Sequence, residues 1–426
     1  MSTLRARPGT AALALAGLLR RSGALRHPLL ARDAARRGLP GAIALAAAQD
    51  PRRLALVRDQ ETITTGALDS EVRALAAQLA VRPGSRVGVR SDGGIGFVVT
   101  LAAVLTAGAD AVPLGPRLAA ADVDALGLDA VLDPARGHGS TEWPRASPGR
   151  LLLLSTGTTG SPVATARGRL SLAALAQLAD ADRRVALPPG ALLLLAPPDH
   201  GHGLSALAGA LVRGVPVVLA SGRTVEQQAD SAARHRPAAV SGVPAQLARL
   251  LDAGGLAGVR VVVSGSSPLT PALRARLEAE GATVHDGFGA TGTGTVAIDG
   301  RPLAGVRLRR AADGSLEVRS PLGGRHWIAT GDRVDIAEGR LRPAGRTGSL
   351  VDSGGELIDP ARLHRLLVSH PGVLDARVSV VDDDLLGAVL HARVDADPAI
   401  ETRLRASIAA SLGRAEHPRR VEFGPV

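Results

Sequence analysis

Three features of this 426-residue chain predict an α/β protein with largely parallel sheets, followed by a smaller α+β unit. Runs of strand and helix character alternate from residue 54 to residue 280, the order produced by parallel strands joined through crossover helices. Past residue 289 the helical spacing stops, and short β-rich pieces follow at 295–298, 306–310, 316–319, 327–330 and 340–343. The last 80 residues, from 347, read helix, strand, strand, helix, which suits a small mobile lid. The expected divisions are an arginine-rich segment at 1–40, a large domain at 41–346 and the lid at 347–426.

Residues 1–40 hold a single acid, Asp33. Arg20, Arg21 and Arg26 beside Leu15, Leu18 and Leu19 set up an amphipathic helix, able to touch a membrane surface or dock on the domain. The first strand falls at 54–58. Residues 68–79 have helical spacing, with Leu68, Val72, Leu75, Ala76 and Leu79 on one face. A strand at 86–90 precedes the longest uncharged run, 93–109, which is just short of a membrane span and is broken by glycine. It reads as a buried helix at 95–106. A strand follows at 109–114, and the four leucines Leu151 to Leu154 read as another. The alternation resumes with strands at 192–196, 215–219, 238–242 and 259–264 and helices at 204–213, 224–235, 245–253 and 272–280. In the tail, helices are expected at 360–368 and 398–412, with strands at 373–381 and 386–394.

Composition excludes several function classes. A hydrophobic content of 45% supports a sizeable core and argues against disorder. All 50 basic residues are arginine, and Lys, Cys, Tyr and Asn are absent, the usage of a GC-rich genome. Without cysteine there is neither a disulfide nor a thiolate metal site, which fits a cytoplasmic protein. The net charge of +10 raises the question of nucleic acid, but the arginines are scattered and aromatics make up only 1%. Base-stacking platforms are therefore missing, and no nucleic-acid partner is expected. The run Asp382–Asp384 reads as a solvated loop, and the metal ligands are unassigned.

The chemistry begins at 151–162, LLLLSTGTTGSP. A short apolar strand breaks into Ser155, Thr156, Gly157, Thr158, Thr159 and Gly160, whose hydroxyls and flexible backbone suit the wrapping of phosphate oxygens. It is not a Walker A loop, because Pro162 stands where the second glycine belongs and no Lys-Ser/Thr follows. Gly287, Gly289 and Gly292 fit G-x-G-x-x-G after the strand-like 282–286, yet Thr293-Gly294-Thr295-Val296 is a poor start for the helix a dinucleotide site requires.

Further short motifs follow in order: PPDHGHGL at 197–204, SGVP at 241–244, VVSGSSPL at 262–269, DGFGATGTG at 286–294, TGD at 330–332, GRTGSLVDSGGELIDP at 345–360 and HPGV at 370–373. In this order and spacing the chain resembles the adenylate-forming superfamily of acyl-CoA synthetases, peptide-synthetase adenylation domains and luciferases, from about residue 54 to 394. The resemblance implies a large N-terminal domain of mixed α/β sheets with a small β-rich subdomain and an α+β C-terminal lid. It also implies a reaction: a carboxylic acid attacks the α-phosphorus of ATP, and the resulting acyl-adenylate passes to coenzyme A or a carrier-protein pantetheine. By the same resemblance the loop from Ser155 to Gly160 holds the β- and γ-phosphates, and Thr291 meets the α-phosphate. Phe288, flanked by Gly287 and Gly289, stacks on adenine, and Gly265, Ser266 and Ser267 line the adenine side. Asp332 and Arg346 reach the ribose hydroxyls. His200 stands beside the acyl pocket, with His202 the second candidate, and residues 241–244 lie near the acyl tunnel. A fatty or other apolar acid is the expected substrate, with ATP or AMP, Mg²⁺ and coenzyme A as companions.

The chain departs from the pattern at three charges. The phosphate loop continues Pro162-Val163-Ala164 in place of Pro-Lys-Gly, Thr291-Gly292 replaces a Thr-Glu pair whose glutamate helps hold magnesium, and the sequence ends before the family's C-terminal Gly-Lys. Gly348 occupies the hinge position, while Gly354 and Gly355, a loop the family uses in thiol transfer, are retained. Each lost contact is expected to slow adenylation by about 10²–10³ if it acts like a lost oxyanion donor. The alternative is therefore a catalytically impaired or non-catalytic homologue that binds an adenylate, an acyl ligand or a partner protein.

Overall fold

The computed structural model describes residues 4–5, 12, 16–17, 35–138, 147–156, 162–167, 171–312, 314–324, 326–346 and 350–424. The expected amphipathic helix within 1–40 lies mostly outside these residues. Leu4–Arg5 forms a two-residue strand antiparallel to 307–308.

The apolar alternation builds two sheets packed around one large core. In the nine-stranded sheet the order is 301–302, 294–298, 283–290, 261–265, 239–242, 192–194, 217–219, 54–58 and 61–64. Its six central strands run parallel, and antiparallel strands close both edges. The second sheet has the order 130–132, 86–90, 110–114, 151–156 and 162–167, parallel except at the final hairpin. Between the sheets lies the helix Ile95–Thr106, buried at eleven of its twelve positions, which is why the uncharged run reads hydrophobic on every side. Leu68, Val72 and Leu75 of the helix Thr65–Gln78 join the same core.

The β-rich region is an antiparallel sheet of strands 4–5, 307–310, 315–319, 328–337 and 340–346 around Leu308, Leu316, Val318, Val334 and Leu341. The lid has its own core, centred on Leu363, Leu367, Leu390, Val394, Leu404 and Ile408. There the long hairpin Val373–Asp383 and Gly387–Ala396 carries the helices Pro360–Ser369 and Glu401–Ser411. The lid also contains elements absent from the sequence reading: a short hairpin, 351–353 with 356–358, and a parallel edge strand at 420–423.

Two further differences concern the motifs. The TGD motif, only partly within the β-rich piece expected at 327–330, lies wholly inside the ten-residue strand Ile328–Ala337, where Gly331 has φ +73° and the register shifts between Asp332 and Val334. Asp383 is not free in solvent, since it accepts the N–H groups of Leu385 and Leu386 and pairs with Arg419. Those bonds hold its carboxyl below the usual carboxylate range.

Candidate functional site

Three of the motifs, 241–244, 262–269 and 286–294, collect where the central parallel strands end. In register, Gly242, Ser264 and Asp286 share one rung of the large sheet, and Gly265 pairs with Gly287 on the next. Strands 239–242 and 261–265 end here, and the carboxyl ends of parallel strands are the usual ligand position of open α/β sheets.

The phosphate-loop candidates Gly157, Thr158, Thr159 and Gly160 lie outside the described residues. What is described is their frame, an antiparallel hairpin that pairs Ser155 with Val163 and Thr156 with Pro162. Thr291 reaches this hairpin, donating from Oγ1 to the Leu154 carbonyl at 3.5 Å. Two motifs 137 residues apart are thereby brought together. Thr291 sits in the turn of the hairpin 283–290 with 294–298, whose second strand replaces the helix a dinucleotide fold would need. Thr293 holds this turn, accepting the Ala290 N–H at 3.1 Å, and Ser320 donates to the Thr293 carbonyl at 2.6 Å. Phe288, half-buried, packs against the cluster containing Val296 and Ile298.

Opposite this hairpin, Ser266 has φ +70°, a left-handed conformation that costs a non-glycine residue energy and recurs at functional sites. His202 packs over Gly265: a Cβ at that position would lie 2.7 Å from its Nδ1, so only glycine leaves room for the ring. The other ring nitrogen, Nε2, is 3.1 Å from Ser241 Oγ, and burial pushes the imidazole down to about 4. At neutral pH it is an uncharged polar contact between Gly265 and Ser241.

His200 stands apart from His202. It precedes the helix Gly201–Val212, with 48% of its side chain exposed, and its Nε2 lies 3.4 Å from Asp199 Oδ2. Asp286 has no hydrogen bond to its carboxylate among the described residues, and burial pushes it up to about 6, with Arg274 nearby opposing and Asp299 assisting. Asp332 is partly exposed, and its register partner in the backbone ladder is Arg346.

The lid is docked against these strand ends. Ser267 Oγ donates to Asp352 Oδ1 at 2.9 Å, and the same oxygen accepts the Gly355 N–H at 3.1 Å. Arg117 pairs with Glu356, and its carbonyl accepts the Arg414 N–H at 3.1 Å. Deeper in the joint, Arg362 of the lid bridges Asp122 of the large domain and Glu416, the latter at 3.0 Å. Sequence reading missed Asp199, Asp286 and these joints. Asp199 and Asp286 stand inside quoted motifs, but what acts on them, Ser91 on Asp199 and Arg274 and Asp299 on Asp286, comes from other elements.

Among the described residues magnesium finds no ready seat. Position 292 offers no carboxylate, although a Cβ there would meet only Ile328 Cγ2 at 4.0 Å. Among the described residues no group of three His, Asp or Glu side chains could hold a metal.

A two-domain adenylate-forming architecture, with the motifs 241–244, 262–269 and 286–294 gathered at the strand ends against a smaller C-terminal unit, is what the fold defines. The chain belongs to the AMP-binding enzyme family, whose model matches residues 43–131 and 140–358. A probable 2-succinylbenzoate–CoA ligase of Mycobacterium tuberculosis is 31% identical over 301 residues, covering 63% of this chain and 78% of that protein. A sulfoacetate–CoA ligase of Cupriavidus necator is 30% identical over 351 residues, covering 70% and 68%. Among solved structures, o-succinylbenzoate CoA synthetase of Bacillus subtilis superposes with a TM-score of 0.77 at 22% identity, covering 90% of this chain and 95% of that one. These relatives are acid–CoA ligases, and neither named acid is a fatty acid, so the expectation of fatty-acid metabolism finds no support in them. Among the described residues no helix is long and apolar enough to cross a membrane.

Proposed function

We propose that this protein is an acid–thiol ligase of the adenylate-forming type, taking a carboxylic acid through an acyl-adenylate to a thioester of coenzyme A. In the first half the carboxylate attacks the α-phosphorus of ATP and pyrophosphate leaves. In the second, the thiol sulfur attacks the acyl carbonyl and AMP leaves. Asp332 and Arg346 would hold the ribose, Thr291 the α-phosphate and Ser155 to Gly160 the outer phosphates, while Phe288 and Gly265–Ser267 would enclose adenine. The neutral His202–Ser241 pair favours an acid that carries a hydrogen-bonding group over a plain alkyl chain. No step is assigned to magnesium.

The observation that carries this reading is the seating of the Gly354–Gly355 loop against Val243, Ser266 and Ser267. This supports the reading, because the lid segment tied by resemblance to thiol transfer meets the residues proposed to line the adenine side. Val163-Ala164 and Gly292, in place of charged groups, favour a second reading, in which transfer from an adenylate survives while its formation is slow. Pyrophosphate exchange with a panel of carboxylic acids, run beside thioester formation from preformed adenylates and coenzyme A, separates the two. Activity in both supports the ligase, activity only in the transfer assay supports the second reading, and neither activity sinks both.

A further inference from the structure

Asp199 is a carboxylate that neither the fold nor the proposed nucleotide contacts require, yet only 3% of its side chain is exposed. Burying a carboxylate is costly unless each oxygen is satisfied. Here both oxygens have partners, and the partners form a directed chain. The Gly93 N–H donates to Ser91 Oγ at 3.3 Å, which orients the Ser91 hydroxyl to donate to Asp199 Oδ1 at 2.7 Å. Asp199 Oδ2 faces His200 Nε2 at 3.4 Å. Gly115 makes the room, since a Cβ there would lie 2.6 Å from Asp199 Oδ2 and 3.8 Å from His200 Nε2. Two residues on, Arg117 pairs with Glu356 beside the Gly354–Gly355 loop, so this chain ends where the docked lid meets the large domain.

We infer that Ser91 and Asp199 are positioning residues that hold His200 as the base for the second half-reaction. The inference rests on the acyl-transfer reading above. With Nε2 turned to Asp199, Nδ1 is left to accept a proton. As the thiol sulfur bonds to the acyl carbonyl carbon, the S–H proton passes to His200 Nδ1, and the carbon–oxygen bond to AMP breaks with its electron pair leaving on the phosphate. Asp199 stabilises the imidazolium, which returns its proton to solvent through the half-exposed face of the ring. His202, two residues on and inside the helix that His200 precedes, cannot substitute. Its Nε2 is engaged by Ser241, and burial, which pushes its titration down to about 4, leaves it too weak a base to take the thiol proton.

The test uses the full-length protein, synthetic adenylates of aromatic and short-chain acids, and coenzyme A, with folding of each variant checked by thermal melting. His200→Ala is expected to slow transfer about 100-fold, the scale of general-base catalysis, with partial restoration by added imidazole. Asp199→Asn is expected to slow transfer at least 30-fold, at least tenfold more than it slows pyrophosphate exchange. Ser91→Ala, a gentler change, should give a loss of the same kind, and it decides the matter if Asp199→Asn does not fold. Transfer by Asp199→Asn or Ser91→Ala at the wild-type rate, or His200→Ala without imidazole rescue, overturns the inference while leaving the ligase reading intact. A wild-type protein that transfers none of the adenylates overturns the reading and the inference with it.

Discussion

Gly355 of the lid sits so close to Val243 of the large domain that a Cβ at position 355 would come within 3.1 Å of the valine Cγ1. The residue also has φ +91°, a left-handed conformation that side chains resist. Gly355→Ala therefore meets two obstacles to docking, a backbone cost of about 1–2 kcal/mol and a contact with a branched neighbour. Thioester formation from a preformed adenylate should fall by about tenfold or more, with a smaller effect on pyrophosphate exchange. An equal loss in both assays would mean that the docked lid does not serve transfer.

Asp332 supplies the test of the nucleotide assignment. A carboxylate bridging two ribose hydroxyls makes charge-assisted hydrogen bonds worth about 1.5–3 kcal/mol each. Asp332→Ala should weaken AMP binding about a hundred-fold or more by titration calorimetry. Unchanged affinity would remove Asp332, and with it the ribose position, from the site.

The alternation between 54 and 280 was legible because its buried faces are apolar with a regular period. Where the buried face is polar the signal fails. The helix Leu172–Val185 escaped notice because its inward positions include Gln177 and Asp180, which bond to the Thr295 carbonyl, Arg183, Arg184 and the Ala304 N–H. Short edge strands such as 130–132 and 162–167 owe their conformation to a neighbour and carry no pattern of their own. The site shows the same division. Its motifs were readable as an ordered set, but Asp199 acquires meaning only through Ser91, 108 residues earlier.

Asp286 makes stability depend on pH. Burial lifts its carboxyl from 3.8 to about 6. Below about pH 4 the group is protonated in both the folded and unfolded chains and imposes no penalty. Between about pH 4 and 6 the unfolded chain ionises while the folded one holds its proton, and stability is lost, by about 3 kcal/mol once the pH has passed 6. Asp286→Asn removes that loss. Thermal melts should show the variant more stable than the wild type at pH 7–8, with the difference vanishing near pH 4. A constant difference across that range would show that the carboxyl is not desolvated.

Gly292 offers a gain-of-function test of why adenylation is expected to be slow. Its φ is not left-handed, and a Cβ would meet only Ile328 Cγ2 at 4.0 Å, so backbone and space both admit a side chain. Gly292→Glu places a carboxylate directly after Thr291, where the superfamily pattern has one to help hold magnesium. If the missing charge limits the first half-reaction, the variant should raise magnesium-dependent pyrophosphate exchange at least tenfold. One preorganised electrostatic contact is worth about 10²–10³ in rate. Transfer from a preformed adenylate should change far less, because that step forms no new bond to phosphorus. A folded variant with no gain in exchange would place the deficit elsewhere, at the Val163-Ala164 step where the phosphate loop lacks its cation.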